Sequence, residues 1–221
     1  MKTAVVSGLA LVLAGCSSGA AQPPVSAPTK AAATSNSAPP SVAPPKLPER
    51  LLPTEDEVEK LGLTVSTEPV EYVVGATTPL RLVNACGVAQ PWDAQVKQGA
   101  HASAKGSAGQ LEQLMAQYDG ITGTAVVEGV KKALACGTVP DDDLQFTVLG
   151  EFAVPKVADD QYGFCLSLEG TGRFVHCVLL LANGDRAEAL TMANQNSSDA
   201  RAQQAVLKKV APVFAEALGR P

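Results

Sequence analysis

The chain lacks the short signatures by which most enzymes announce themselves. It holds no Gly-x-Ser-x-Gly elbow, no His-Glu-x-x-His helix, no phosphate loop and no Gly-x-Gly-x-x-Gly turn. No catalytic residue is therefore assigned, and the chain is read as a non-enzyme. Histidine is scarce, with two residues, and no Cys-x-x-Cys occurs. That donor set argues against zinc, and neither a metal nor a cofactor is expected. Acidic residues are absent before Glu49. After the first residues no apolar run reaches the roughly 20 residues needed to span a bilayer.

What is present begins with a leader. Lys2 supplies a positive end, and Thr3 to Leu13 are nearly all apolar or small. This has the length and flanks of a secretory signal, closed by small residues. It ends in Leu13-Ala14-Gly15-Cys16, which resembles a bacterial lipobox. The likeness implies cleavage before Cys16 and acylation of the Cys16 sulfur. Each buried CH₂ adds about 0.8 kcal/mol, so two or three chains hold a protein on a membrane where one does not. Residues 1–15 are thus read as the signal peptide. Residues 16–48 are read as the lipidated Cys and a disordered tether, rich in Pro, Ala and Ser and holding eight of the chain's 16 prolines. Residues 49–221 form the folded domain, a length suited to one unit.

The domain carries 22 acidic and 14 basic residues, a net charge of −8. That sign disfavours nucleic acid, whose binding is driven by Lys and Arg. The expected partners are the membrane, through the anchor, and an envelope ligand or protein. A monomer is expected, held at the outer face of the cytoplasmic membrane.

Four cysteines remain: Cys86, Cys136, Cys165 and Cys177. In an exported domain an even number reads as two disulfides, with three pairings possible. A hairpin turning about Thr171 sets Cys165 against Cys177, Leu166 against His176, and Glu169 against Arg173. Opposed residues in a non-hydrogen-bonded site lie near the separation a disulfide needs. Cys165–Cys177 is therefore expected, and Cys86–Cys136 follows.

Local patterns point to an α+β domain with an antiparallel sheet packed against helices. Thr54 and Glu57 form a capping-box pattern before a short helix ended by Gly62. Leu63 to Val74 and Gln95 to Lys105 read as strands, the second with Ala100, Ala102 and Ala104 inward. Gln110 to Tyr118 completes a hairpin with it. Thr122 to Ala135 reads as a helix buried along Val126, Val130 and Leu134. Phe146, Val148, Gly150, Phe152 and Val154 are expected on one strand face, and Phe164, Leu166 and Leu168 on the next strand. Asn183-Gly184 signals a two-residue hairpin. Ser198 to Leu218 reads as a long C-terminal helix capped by Asn196 or Ser197, with Pro212 bending it. His176 is expected as a partly buried strand residue and His101 as a surface one. Asp141-Asp142-Asp143 is read as a solvated turn, and Trp92 as core.

From about Leu51 to Leu218 the chain resembles the PknH-like extracytoplasmic sensor domain of actinobacteria. The likeness rests on Leu51-Leu52-Pro53-Thr54-Glu55-Asp56-Glu57-Val58 with Leu61-Gly62, on four cysteines in this order with the last two on adjacent strands, and on an Ala-rich final helix. It implies a sheet packed by helices, two disulfides and a ligand-binding cleft. The chain differs from the family in having Ala133-Leu134-Ala135 where a Trp commonly precedes the second cysteine, so no binding residue is carried over. A sensor or ligand-binding role is the first expectation. A carrier of a lipid or other hydrophobic molecule is the second, and a cell-wall enzyme or enzyme inhibitor the third.

The anchor is open to a direct check. Cys16→Ser should abolish acylation and move the protein from the membrane fraction to the soluble one, and the intact mass of the wild-type mature chain should exceed its peptide mass by two or three acyl groups.

Overall fold

A computed structural model describes residues 51–72, 80–141, 144–168, 174–193 and 199–221. The leader, the tether, Val74, Asp142, Asp143, the Glu169–Arg173 pair, Asn196 and Ser197 lie outside them.

Eight strands form one antiparallel sheet in the order β1-β2-β3-β8-β7-β6-β5-β4. They are β1 (Thr64–Tyr72), β2 (Val96–Gly106), β3 (Gly109–Tyr118), β4 (Thr138–Asp141), β5 (Leu144–Phe152), β6 (Asp160–Leu168), β7 (Val175–Asn183) and β8 (Arg186–Ala193). Three helices join them: α1 (Glu55–Lys60), α2 (Gly123–Ala133) and α3 (Ala200–Leu218). The α+β reading, the single antiparallel sheet and the long final helix are all present.

The sheet is covered on both faces, so its central strands are apolar on both sides. Along β7, Val178, Leu180 and Ala182 join Val126, Val130 and Trp92 in one core. Cys177, Leu179 and Leu181 join Leu207, Val210 and Phe214 in the other. Trp92 is thus core, as its sequence context suggests. Its ring lies against α2 at Gly129, where an added Cβ would come within 2.3 Å of Trp92 Cζ3.

The helix ends follow their caps. Thr54 Oγ1 accepts from the Glu57 amide and Glu57 returns a bond to the Thr54 amide at 2.8 Å, completing the capping box. Helix α2 passes into a 3-10 turn at Leu134–Cys136, closed by Gly137 at φ 83°, a backbone that favours glycine. The final helix starts later than its pattern suggests. Asp199 is itself the cap, accepting from the amides of Arg201 and Ala202 at 2.9 and 3.2 Å.

Two registers depart from expectation. The β7–β8 loop is Gly184-Asp185, one step beyond Asn183-Gly184, because Asn183 pairs with Arg186. The second departure is larger. Val148 pairs with Leu166 and Gly150 with Cys165, so Leu149 bulges out of the ladder. One extra residue exchanges the faces of everything beyond it. Phe146 and Val148 therefore pack on the α2 side, while Phe152 and Val154 pack on the α3 side. The single-face reading of these residues is corrected by the bulge, which also leaves Leu149 57% exposed.

Both disulfides form as expected, Cys86–Cys136 with Cα atoms 6.1 Å apart and Cys165–Cys177 with Cα atoms 4.0 Å apart. The second rests in the α3-side core, beneath the first turns of α3. There Gln203 is 1% exposed, and its side chain completes the sheet. Its Oε1 accepts from the Cys177 amide at 2.9 Å and its Nε2 donates to the Val175 carbonyl at 2.6 Å.

Gln203→Leu keeps the volume but strands two buried backbone groups, each costing about 1–3 kcal/mol when unpaired. The substitution should lower the unfolding free energy by about 2–4 kcal/mol in urea titration, whereas Gln204→Leu on the neighbouring, more accessible position should cost less than about 1 kcal/mol.

Candidate functional site

The cysteines that the sequence singled out serve structure. Cys86, at φ 59°, is the one described non-glycine residue with a left-handed backbone. The Cys86–Cys136 bond holds that turn against the end of α2. Around it Arg81 Nε lies 3.2 Å from Asp93 Oδ2, and Asn84 links Arg81 to the Pro140 carbonyl. Burial raises the Asp93 carboxyl above its ordinary range, partly offset by the Gln90 amide and the Arg81 charge. This is a knot that secures a loop, with both charges matched.

The histidines were checked for chemistry. His176 is half-buried against Phe146, with ring centroids 5.0 Å apart. Desolvation lowers its pKa, partly countered by the charge of Asp141. His101 Nε2 lies 2.5 Å from Glu112 Oε2 across β2 and β3, and the Ser66 and Ser103 hydroxyls bond at 2.9 Å across β1 and β2. No hydrogen bond joins His101 to either serine among the described residues. A nucleophile needs its base within hydrogen-bond reach, and these two pairs do not meet. Among the described residues no group of three His, Cys, Asp or Glu side chains stands together as a metal site. Asp141 ends β4 and is exposed.

The feature whose position the sequence did not signal is a cleft of about 420 Å³ on the α3 side of the sheet. Its floor is β1, β2 and β3; its walls are Leu52 to Glu55, Val58 and Phe214. Two local causes open it. First, β2 offers only small side chains there: Ala100, Ala102 and Ala104 all line it. Second, β1 is irregular, slipping against β2 between Val65 and Thr67 and again between Thr67 and Val70. Pro69 sits in that stretch and cannot donate to a ladder, which suits an edge strand at a bulge. The bulges bend β1 away from the wall. Both causes were visible as residues, but the alanines read equally well as tight packing.

The floor is apolar along Val65, Ala100, Ala104 and Leu111, and the mouth carries Glu55, Glu68 and Glu71. One polar chain leads inward. Gln113 lines the cleft, is 5% exposed, and donates from Nε2 to Glu188 Oε2 at 2.7 Å. Glu188 is wholly buried and its Oε1 has no partner among the described residues. Burial pushes its carboxyl up to about 7, against the opposing pull of the Gln113 bond.

The sign of the resulting pH dependence is fixed. The folded pKa of Glu188 exceeds its ordinary value, so its contribution is complete below about pH 4.5 and is lost as pH rises through 7. Unfolding free energy should fall by about 2–3 kcal/mol from this group between pH 5 and pH 8. Glu188→Gln should remove that fall, with urea titrations at several pH values as the measure.

No family model matches the chain, and no curated protein matches it. Among solved structures, it is similar to the extracellular domain of PknH from Mycobacterium tuberculosis, with TM-score 0.48, 12% identity, and coverage of 74% of this chain and 92% of that one. It is also similar to the Rv0999 ortholog from Mycobacterium smegmatis, with TM-score 0.36, 14% identity, and coverage of 74% of this chain and 98% of that one. No residue role is carried across from either.

Proposed function

We propose that this chain is a lipid-anchored extracytoplasmic protein whose folded domain binds a small envelope ligand without transforming it. The observation that carries the reading is the cleft. It is within the range of small-molecule sites, which run from roughly 300 to 1,000 Å³ and pair an apolar lining with a few polar groups. Three other observations support the setting. The lipobox-like Leu13 to Cys16 supplies the anchor. Two disulfides suit an oxidising compartment. Among the described residues no helix is long and apolar enough to cross a membrane.

The apolar floor also favours a second reading, a carrier of hydrophobic molecules. The two readings differ in what travels with the protein, and purification from the native envelope separates them.

A neutral fluorescent probe, 1-N-phenylnaphthylamine, should bind saturably at one site per chain. Ala102→Trp should reduce that binding at least tenfold with an unchanged melting temperature, because Ala102 is half-buried and faces open space. Equal probe binding by the variant would remove the cleft as the site. Native mass spectrometry of protein from its own envelope should show no retained two-chain lipid; a stoichiometric lipid would replace this reading with the carrier.

A further inference from the structure

We infer that the cleft selects an amphiphilic organic cation, a molecule with one compact apolar body and one positively charged head. This deepens the binding proposal and rests on it.

The argument is charge complementarity across a shaped surface. Among the described residues no Lys or Arg lines the cleft. Three carboxylates do, and they enter from two different elements: Glu55 from α1, and Glu68 and Glu71 from β1. None of the three has an ion pair or hydrogen bond among the described residues. Elsewhere Glu57 is paired with Arg220, Asp93 with Arg81 and Glu151 with Lys131, while exposed carboxylates such as Asp56, Glu59 and Glu216 stand open to water as those at the mouth do. What sets Glu55, Glu68 and Glu71 apart is that all three line one apolar-floored cleft. Behind them the floor offers apolar contact to Ala104 and Leu111, and the walls to Leu52, Val58 and Phe214.

An anionic amphiphile would meet three like charges at the mouth of a domain already negative overall. A neutral one would gain the floor and nothing from the rim. A cation with an apolar body gains both. Charges held at an apolar-walled rim are screened less than charges in bulk water, so a discrimination of about tenfold between matched cation and anion is expected.

Three eight-carbon probes separate the terms: octylammonium, octanoate and 1-octanol. Each is titrated calorimetrically into the whole mature chain at low ionic strength. Octylammonium should bind about tenfold more tightly than octanoate, with 1-octanol between them, and the ratio should shrink toward one in 0.5 M salt. The triple variant Glu55→Gln, Glu68→Gln, Glu71→Gln alters only exposed positions. It should bring the three probes level while retaining 1-octanol binding. Ala102→Trp should weaken all three. If octanoate or 1-octanol matches octylammonium in the wild-type chain, and Ala102→Trp still weakens them, the cation class is overturned and the binding cleft stands. If no probe binds, or if Ala102→Trp leaves all three unchanged, the cleft reading and the cation class fall together.

Discussion

One helix cannot cover this sheet, and most of the molecule follows from that mismatch. Eight strands spaced about 4.8 Å apart are roughly 34 Å across, while a packed helix is about 10 Å wide. On one face α2 lies over β6, β7 and β8; on the other α3 lies over β7 and β8. The middle is therefore buried twice and must be apolar throughout, as β7 is. The flanks need other cover. On the α2 side the loop carrying Leu80, Leu82 and Trp92 supplies it. On the α3 side the bulge at Leu149 turns Phe152 inward, and Lys208 lies 5.7 Å from its ring centroid. Among the described residues β1 to β3 are covered on that same side by six-residue α1, the segment before it and Phe214 of α3, and the cleft is the part they leave uncovered.

The covalent and polar fastenings act at two places, the buried centre of the sheet and the loop beside α2. The Cys165–Cys177 bond joins two central strands whose ladder is completed by a helix side chain, Gln203, in place of a strand partner. Sheet and α3 are thus registered by hydrogen bonds as well as by apolar contact. The Cys86–Cys136 bond closes a 50-residue separation and ties an irregular loop to the end of α2. A cross-link of that span removes more freedom from the unfolded chain than the short hairpin bond does. The loop bridge stabilises a region that burial alone would hold poorly, while the hairpin bridge lies within strands already buried on both faces.

Legibility in the sequence followed the range of the interaction. The capping box at Thr54, the β6–β7 register around Cys165 and Cys177, and the stripe Leu207, Val210, Phe214 and Leu218 were readable because each is local or fixed by one turn. The face exchange at Leu149 was not, since a bulge costs one residue and leaves the alternation intact to the eye. The final helix reads from sequence as capped by Asn196 or Ser197, and the cap is Asp199, a shift of two or three residues within a cluster of polar residues that could each serve. The cleft was hidden for a different reason. Ala100, Ala102 and Ala104 declare small side chains facing inward, but whether a neighbour fills the vacated space depends on Leu52 and Phe214, about 50 residues before and 110 residues after them. Pattern fixes which face a residue takes; it does not fix what stands opposite.

The wall of the cleft is also the least self-sufficient part of the fold. A six-residue helix has no stability of its own in water. α1 is held by its capping box, by Val58 in the core, and by bonds from the far end of the chain. Lys209 Nζ donates to the Leu61 carbonyl at 2.7 Å, Arg220 pairs with Glu57 at 2.5 Å, and Arg220 donates to the Leu52 carbonyl at 3.3 Å. The last residues of the domain therefore brace the first ones, and both meet beside the cleft. Regions held by few contacts open at lower free energy than the core. A ligand of the proposed kind, touching that wall and the alanines of β2, would bind the folded wall alone and stabilise it in proportion to its occupancy. Leu52, Pro53 and α1 thus belong at once to the wall of the cleft and to the start of the folded domain.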